Sequence, residues 1–522
     1  MNAPRTSYDE MPYFSRPFSQ THPGRLFAIA HLCGLEPPPV ETGRVLELGC
    51  AAGGNLIPMA LTLPDARFVG VDLSSEQVAE GLATIEALGL RNIELRQGDL
   101  SQIDAGWGSF DYVICHGVYS WVPRPVQDAI LAVCRQNLVP SGLAFVSYNT
   151  FPGWRMRSMI RDMMLYHTRE LGTPEARVAQ ARALLDYLVA QVPTETAYGA
   201  FLREELNLLR RASDSYLFHE HLEDENSPVY FHEWVGRVSA AGLRYLGEAG
   251  HGMTAPCLFP DRVREGLVRG SEEFVQLEQY RDFAQNRIFR SSLVCHAEAD
   301  VSGPARWERI APLHVDCFAQ TIGAAPPLTS RDEEKFRATN GVELGARRPI
   351  TKAGLRVLAA AWPASVPFTE LHQRALALLA EAGQPEEPPR EEDLAGDLLD
   401  LFANGGLALR GVGRPLTNRV SDRPTTSPLV RRQAAAGAPE ATNLRHETSL
   451  LENYDRQILR HLDGEHTVSD LVERVVEAAL QGELDVRRDG DPIASAAELR
   501  EIFAEALPIR LEHHRQQGLL RA

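Results

Sequence analysis

Arg44-Val-Leu-Glu-Leu-Gly-Cys-Ala-Ala-Gly-Gly-Asn55 reads as a buried strand, a tight glycine turn and the start of a helix. Gly49, Ala51 and Gly53 take the three small positions of the turn, with Ala51 replacing the usual middle glycine. Such an element brings backbone N–H groups up to a ligand at a helix N-terminus. Glu47 stands at the end of the strand. A carboxylate there repels a dinucleotide pyrophosphate but attracts a ligand carrying an ammonium and a sulfonium. The turn therefore favours S-adenosylmethionine (SAM) over NAD.

Outward from the turn, strand and helix patterns alternate. Val45–Leu48, Arg67–Val71, Asn92–Arg96, Phe110–Cys115 and Leu143–Tyr148 read as strands. Asn55–Leu63, Ser74–Leu88 and Val126–Asn137 read as the helices between them. The alternation predicts an α/β fold with a Rossmann-like, doubly wound parallel sheet, whose ligands bind at the carboxyl ends of the strands. Asp72 ends the second strand, where an acid bonds ribose hydroxyls, and Asp99 follows the third, where a short acid can accept from an adenine amino group. The candidate cofactor residues are thus Glu47, Gly49, Cys50, Ala51, Gly53 and Asn55, then Asp72, Leu73, Gly98, Asp99 and Leu100. His116, Gly117 and Val118 join them where the fourth strand leaves the sheet, and Tyr13 joins from the aromatic N-terminal segment.

Tyr119, Trp121, Tyr148, Asn149 and Trp154 cluster at the ends of the fourth and fifth strands and are the candidate catalytic residues. Aromatic faces hold an amine or ammonium, and an apolar surround lowers a lysine pKa. Packing over the sheet is the plain alternative for the same rings. His116 is read as a hydrogen-bonded pocket wall rather than a general base. His219 and His221, two apart, face alike if on a strand, with His232-Glu233 nearby. There is no HExxH helix, so a polar patch is expected and no metal.

Residues 1–43 form an N-terminal arm or lid, and 44–154 the SAM-binding core. A helical extension follows over 155–212, then a compact α+β unit over 213–297. Residues 298–410 and 443–522 each carry three helical patterns and a Gly-bearing apolar tail, which is winged-helix spacing; 411–442, rich in Gly, Pro, Arg and Ala, reads as the linker between them.

The chain of 522 residues exceeds one core, and its net charge of −17 argues against non-specific nucleic-acid binding. No apolar run of about 18 residues predicts a membrane span. Seven scattered cysteines without a CxxC pair, and no signal-peptide pattern, fit a reducing cytoplasm.

The turn, Val71-Asp-Leu-Ser74 and the Cys115–Pro123 segment resemble class I SAM-dependent methyltransferases. Tyr8-Asp-Glu-Met-Pro-Tyr13, Gln20-Thr-His-Pro23 and Tyr148-Asn-Thr-Phe-Pro-Gly-Trp154 resemble bacterial methyltransferases that carry a methyltransferase regulatory domain. Tyr216–Leu222 through Phe231-His-Glu233, inside that domain, adds to the likeness. Thr442-Asn-Leu-Arg-His-Glu447 and the final segment resemble its winged-helix part. The architecture is similar to bacterial protein-lysine methyltransferases that act on outer-membrane proteins. The resemblance implies SAM contacts at Glu47, Gly49, Gly53, Asp72, Asp99 and His116, and lysine side chains of a protein as acceptor. A small-molecule acceptor, with the later domains gating the pocket, is the second reading. A non-catalytic SAM-sensing scaffold is the third. Monomer and dimer both stay open.

Overall fold

Five apolar runs build the centre of the molecule. They are β1 (Arg44–Leu48), β2 (Arg67–Asp72), β3 (Ile93–Gln97), β4 (Phe110–Cys115) and β5 (Leu138–Asn149), joined by parallel pairings in the order β3-β2-β1-β4-β5. The computed structural model describes residues 7–12, 14–250, 271–301, 306–338, 340–383, 388–488 and 491–522. Two further strands, β6 (Leu243–Glu248) and β7 (Phe289–His296), extend the sheet beyond β5, with β7 antiparallel to both β5 and β6.

This corrects one expectation. The sheet is mixed, not wholly parallel. Residues 213–297 lend it two strands, β6 and β7. A buried ionic cluster fixes this edge. The Arg290 guanidinium on β7 meets Glu248 at 2.9 Å and Asp282 at 2.8 Å, and lies 3.8 Å over the Phe231 ring. Charged residues at a sheet edge read as surface in sequence; here they are desolvated and paired with one another.

Helices cover both faces of the sheet. The short α1 (Ser7–Glu10) and α2 (Pro23–Leu32) precede β1. Next come α3 (Leu56–Thr62), α4 (Ser75–Leu88) and α5 (Arg124–Asn137), then α6 (Gly153–Thr168), α7 (Pro174–Gln191) and α8 (Ala197–Arg211). The set closes with α9 (Asp214–Leu217) and α10 (Phe231–Ala240). Ser74 starts α4 by accepting the Gln77 N–H, and Gly89 at φ 65° stops it in the left-handed region that glycine tolerates. Side chains alternate along β1: Val45 packs with α2 and α3, whereas Leu46 and Leu48 pack with α5 and α10. Glu47 therefore shares the α2/α3 face with Val45.

Residues 218–222 form one π-helical turn, so the strand reading of His219 and His221 is corrected. His219 bridges Glu223 at 2.7 Å and the Met11 carbonyl at 2.5 Å, and His232 pairs with Gln279 at 2.9 Å.

Beyond the sheet, helices Pro349–Ala361, Phe368–Ala382 and Glu391–Ala403 pack with a small sheet made of His314–Asp316, Val366–Pro367 and Ala408–Arg410. Their core is continuous with the α2 face of the main sheet. The last unit has helices Asn453–Leu459, Val468–Leu480 and Ala496–Gln516. The expected linker over 411–442 is corrected, since it folds into this unit. Ser427 caps a helix, Pro428–Ala435, whose Val430 and Ala434 enter the same core as Ala441. A proline at the first helical position marks a start as readily as a turn, which hid this helix in the sequence. Six cysteines, Cys33, Cys50, Cys115, Cys134, Cys295 and Cys317, are buried and not joined in disulfides; Cys257 lies outside the described residues. Among the described residues, no helix is long and apolar enough to cross a membrane.

Candidate functional site

The glycine turn connects β1 to α3. Gly49 and Gly53 sit at φ 77° and 73°, and Ala51 joins the left-handed region at 48°. A side chain on Gly49 would place its Cβ 2.3 Å from Val118, so the turn is pressed against the end of β4. Gly117 at φ 70° and Gly98 both border open space, where an added Cβ would meet nothing within 4 Å. The strand ends thus leave room beside the turn on two sides.

Three acids expected at this site are found around it. Asp72 ties the turn to β2: one oxygen accepts the Ala51 N–H at 2.7 Å and the other the Ser74 N–H at 2.9 Å. Burial raises its pKa against those bonds. Asp99 follows β3 and accepts the Ser101 N–H at 2.8 Å. Glu47 is 3 % exposed. One of its oxygens accepts from the Asn55 amide at 2.7 Å, while Oε2 has no hydrogen-bond partner among the described residues. Burial pushes Glu47 up to about 8, the Asn55 bond opposes this, and the Asp72 charge adds to it. A buried carboxylate with one unpartnered oxygen is suited to receive a cation.

His116 is half-buried at the end of β4, its Nδ1 2.9 Å from the Ser147 hydroxyl, which also accepts the Gly117 N–H at 2.9 Å. Burial lowers the imidazole to about 4. It is therefore neutral near pH 7 and weakly basic, which suits a pocket wall. Leu73 is 51 % exposed beside Asp72, whereas Cys50 and Leu100 are buried. Asn55 turns inward rather than toward the open side, with its amide joined to Glu47, Thr21 and Phe18.

The N-terminal segment crosses this turn. Asp9 accepts the Ser74 hydroxyl at 2.5 Å, and the Pro12 carbonyl accepts from Ser215 at 2.8 Å. The Ser15 hydroxyl takes the Gly54 N–H at 2.7 Å. The Phe18 ring meets His116 edge-on with centroids 4.0 Å apart. Ser15 and Ser147 were not singled out as site residues from sequence, because no local motif marks them. Tyr13 lies outside the described residues. Gly54→Ala would put a methyl carbon 2.3 Å from the Ser15 carbonyl oxygen. Backbone does not yield as a side chain does, so this variant is expected to lift the segment at a cost of about 1–3 kcal/mol. Faster chymotryptic cleavage after Phe14 and a higher KM for SAM are the expected readouts. Unchanged cleavage would show that the segment does not rest on the turn.

The aromatic set is divided. Tyr119 and Tyr148 are 0 % and 1 % exposed, and Tyr148 stacks on Trp234 at 4.5 Å within the core under α10. Both rings are buried in the packing there. Trp121 and Trp154 meet edge-on at 6.0 Å, and Asn149 donates to Asn226 at 3.1 Å. Trp154 is buried, but Trp121 keeps partial exposure.

Comparison with known proteins places this geometry. A methyltransferase domain model matches residues 45–142, and a "predicted methyltransferase regulatory domain" matches 213–296. The PKMT C-terminal winged helix domain matches 422–519. An uncharacterized protein of Rickettsia prowazekii is 34% identical across 99% of this chain and 94% of its own length. PKMT2 of Rickettsia typhi, solved in complex with AdoHcy, has a TM-score of 0.82 at 30% identity, covering 98% of this chain and 100% of that one. The chain belongs to the PKMT family of SAM-dependent methyltransferases. The regulatory match spans β6 and β7, so in this methyltransferase that domain supplies one edge of the catalytic sheet. The winged-helix match begins at Asp422, inside the stretch expected to be a linker.

Proposed function

We propose that this methyltransferase transfers the methyl group of SAM to lysine side chains of a protein. The match to PKMT2 along essentially the whole chain, winged-helix unit included, carries this reading. SAM supplies an electrophilic methyl on a sulfonium. Glu47 holds its positive end, Asp72 its ribose hydroxyls and Asp99 its adenine, with Gly49, Gly98 and Gly117 keeping the cradle open.

On the acceptor side, Trp121 is the member of the tryptophan pair still reached by solvent. Its ring attracts an approaching ammonium, and the apolar surround then favours the neutral amine that in-line transfer requires. No covalent help is needed; positioning and exclusion of water carry the rate. The short His/Arg segment from Arg510 gives little support to a nucleic-acid partner, because Arg510 and His514 both pair with Asp455, at 2.5 Å and 2.7 Å.

Incubation with tritiated SAM and with lysate and envelope fractions of the host tests the proposal. A discrete labelled protein band, absent with Asp72→Ala, is expected. Label confined to small molecules would replace the acceptor class.

A further inference from the structure

The winged-helix unit reaches the glycine turn through one side chain. Asn443 Oδ1 accepts the backbone N–H groups of Arg445 at 2.9 Å and Glu447 at 3.0 Å. The Asn443 N–H closes the loop onto the Glu447 carbonyl at 2.9 Å. This turn holds His446 at φ 62°, a conformation that costs most side chains energy. His446 is 4 % exposed, and its Nε2 lies 2.7 Å from Asn55 Oδ1, across 391 residues of chain.

Asn55 has one workable orientation. Its carbonyl oxygen receives the Phe18 N–H at 2.9 Å and faces His446, while its amide donates to Glu47 at 2.7 Å. A flipped amide would set N–H against N–H at Phe18, whose backbone can only donate. His446 is therefore the donor in its contact. Burial and the nearby Arg414 and Arg410 lower its pKa to about 3, so the contact is not a switch near neutral pH. The three side chains form one line from the winged-helix unit to the acid at the end of β1.

We propose that His446 is a positioning residue for the methyl donor: it fixes the Asn55 amide, Asn55 fixes Glu47, and SAM affinity thereby depends on the docked winged-helix unit. The inference rests on SAM occupying the glycine turn and is independent of the acceptor.

His446→Gly in the full chain tests it, because glycine adopts the same φ without strain. Loss of one buried hydrogen bond predicts a Kd for SAM weaker by about 5- to 15-fold, read by calorimetry, with the thermal melt of the variant confirming that it folds. Added imidazole is expected to restore part of the affinity. In an Asn55→Ala background the same change is expected to cost nothing further. A purely structural role in the turn gives the opposite pattern: glycine leaves Kd unchanged and imidazole has no effect. Either result would overturn the proposal. Should the Gly variant melt early, additive losses in the Asn55→Ala background would overturn it too. Failure of the wild-type chain to bind SAM would instead break the cofactor assignment itself.

Discussion

Asp72→Ala is expected to raise the KM for SAM by about 10²- to 10⁴-fold. Asp72 does two things at once. Its oxygens already hold the Ala51 and Ser74 N–H groups, at 2.7 Å and 2.9 Å, which sets the shape of the turn and the start of α4. Each carboxylate oxygen keeps a further lone pair for a ribose hydroxyl. Hydrogen bonds to a charged group contribute about 1.5–3 kcal/mol each, so losing two removes about 3–6 kcal/mol of cofactor binding. Ala51, already at φ 48°, also loses the bond that keeps it there. Asp72→Asn retains an acceptor and is expected to fall between. Calorimetric titration with SAM checks both variants, and a Kd for Asp72→Ala within threefold of wild type would contradict the assignment.

SAM binding is expected to strengthen as pH rises from 6 to 8, by about tenfold per unit, and to release close to one proton near pH 7. The cause is Glu47, whose pKa in the folded chain is about 8 against an ordinary value of 4.5. The sign follows from which state holds the proton. The folded chain holds it more tightly, so this contribution to stability is full below about 4.5 and is lost as pH climbs through about 8. A cation set against the carboxylate needs it ionised, so binding expels the proton and is favoured at higher pH. Glu47→Gln is expected to flatten the pH dependence, to weaken binding most at pH 8, and to raise Tm at pH 8 but not at pH 5. Titrations in buffers of differing ionisation enthalpy count the released proton. A flat profile in the wild-type chain would remove Glu47 from the cation's environment.

These two acids were legible in the sequence because each ends an apolar run, and periodicity reports where such runs stop. The same signal located β1 to β5. It did not reveal that β6 and β7 belong to that sheet, because antiparallel edge pairing leaves no mark in spacing and Arg290 with Glu248 looks like surface charge. Tyr119 and Tyr148 carried an aromatic signature that sequence cannot divide between pocket and core; the fold buries both rings, Tyr148 stacked on Trp234. Trp121 and Asn149 stay at the strand ends where they were expected. Asn55 was expected to touch the ligand but faces inward to Glu47. The partner that orients it, His446, lies in a different folded unit, and only the assembled chain brings the two together.

The acceptor is tested most directly by hydrolysing the tritium-labelled protein band and separating its amino acids. The label is expected in Nζ-methylated lysine. Label in methylarginine, or lost to mild base as a methyl ester, would contradict it.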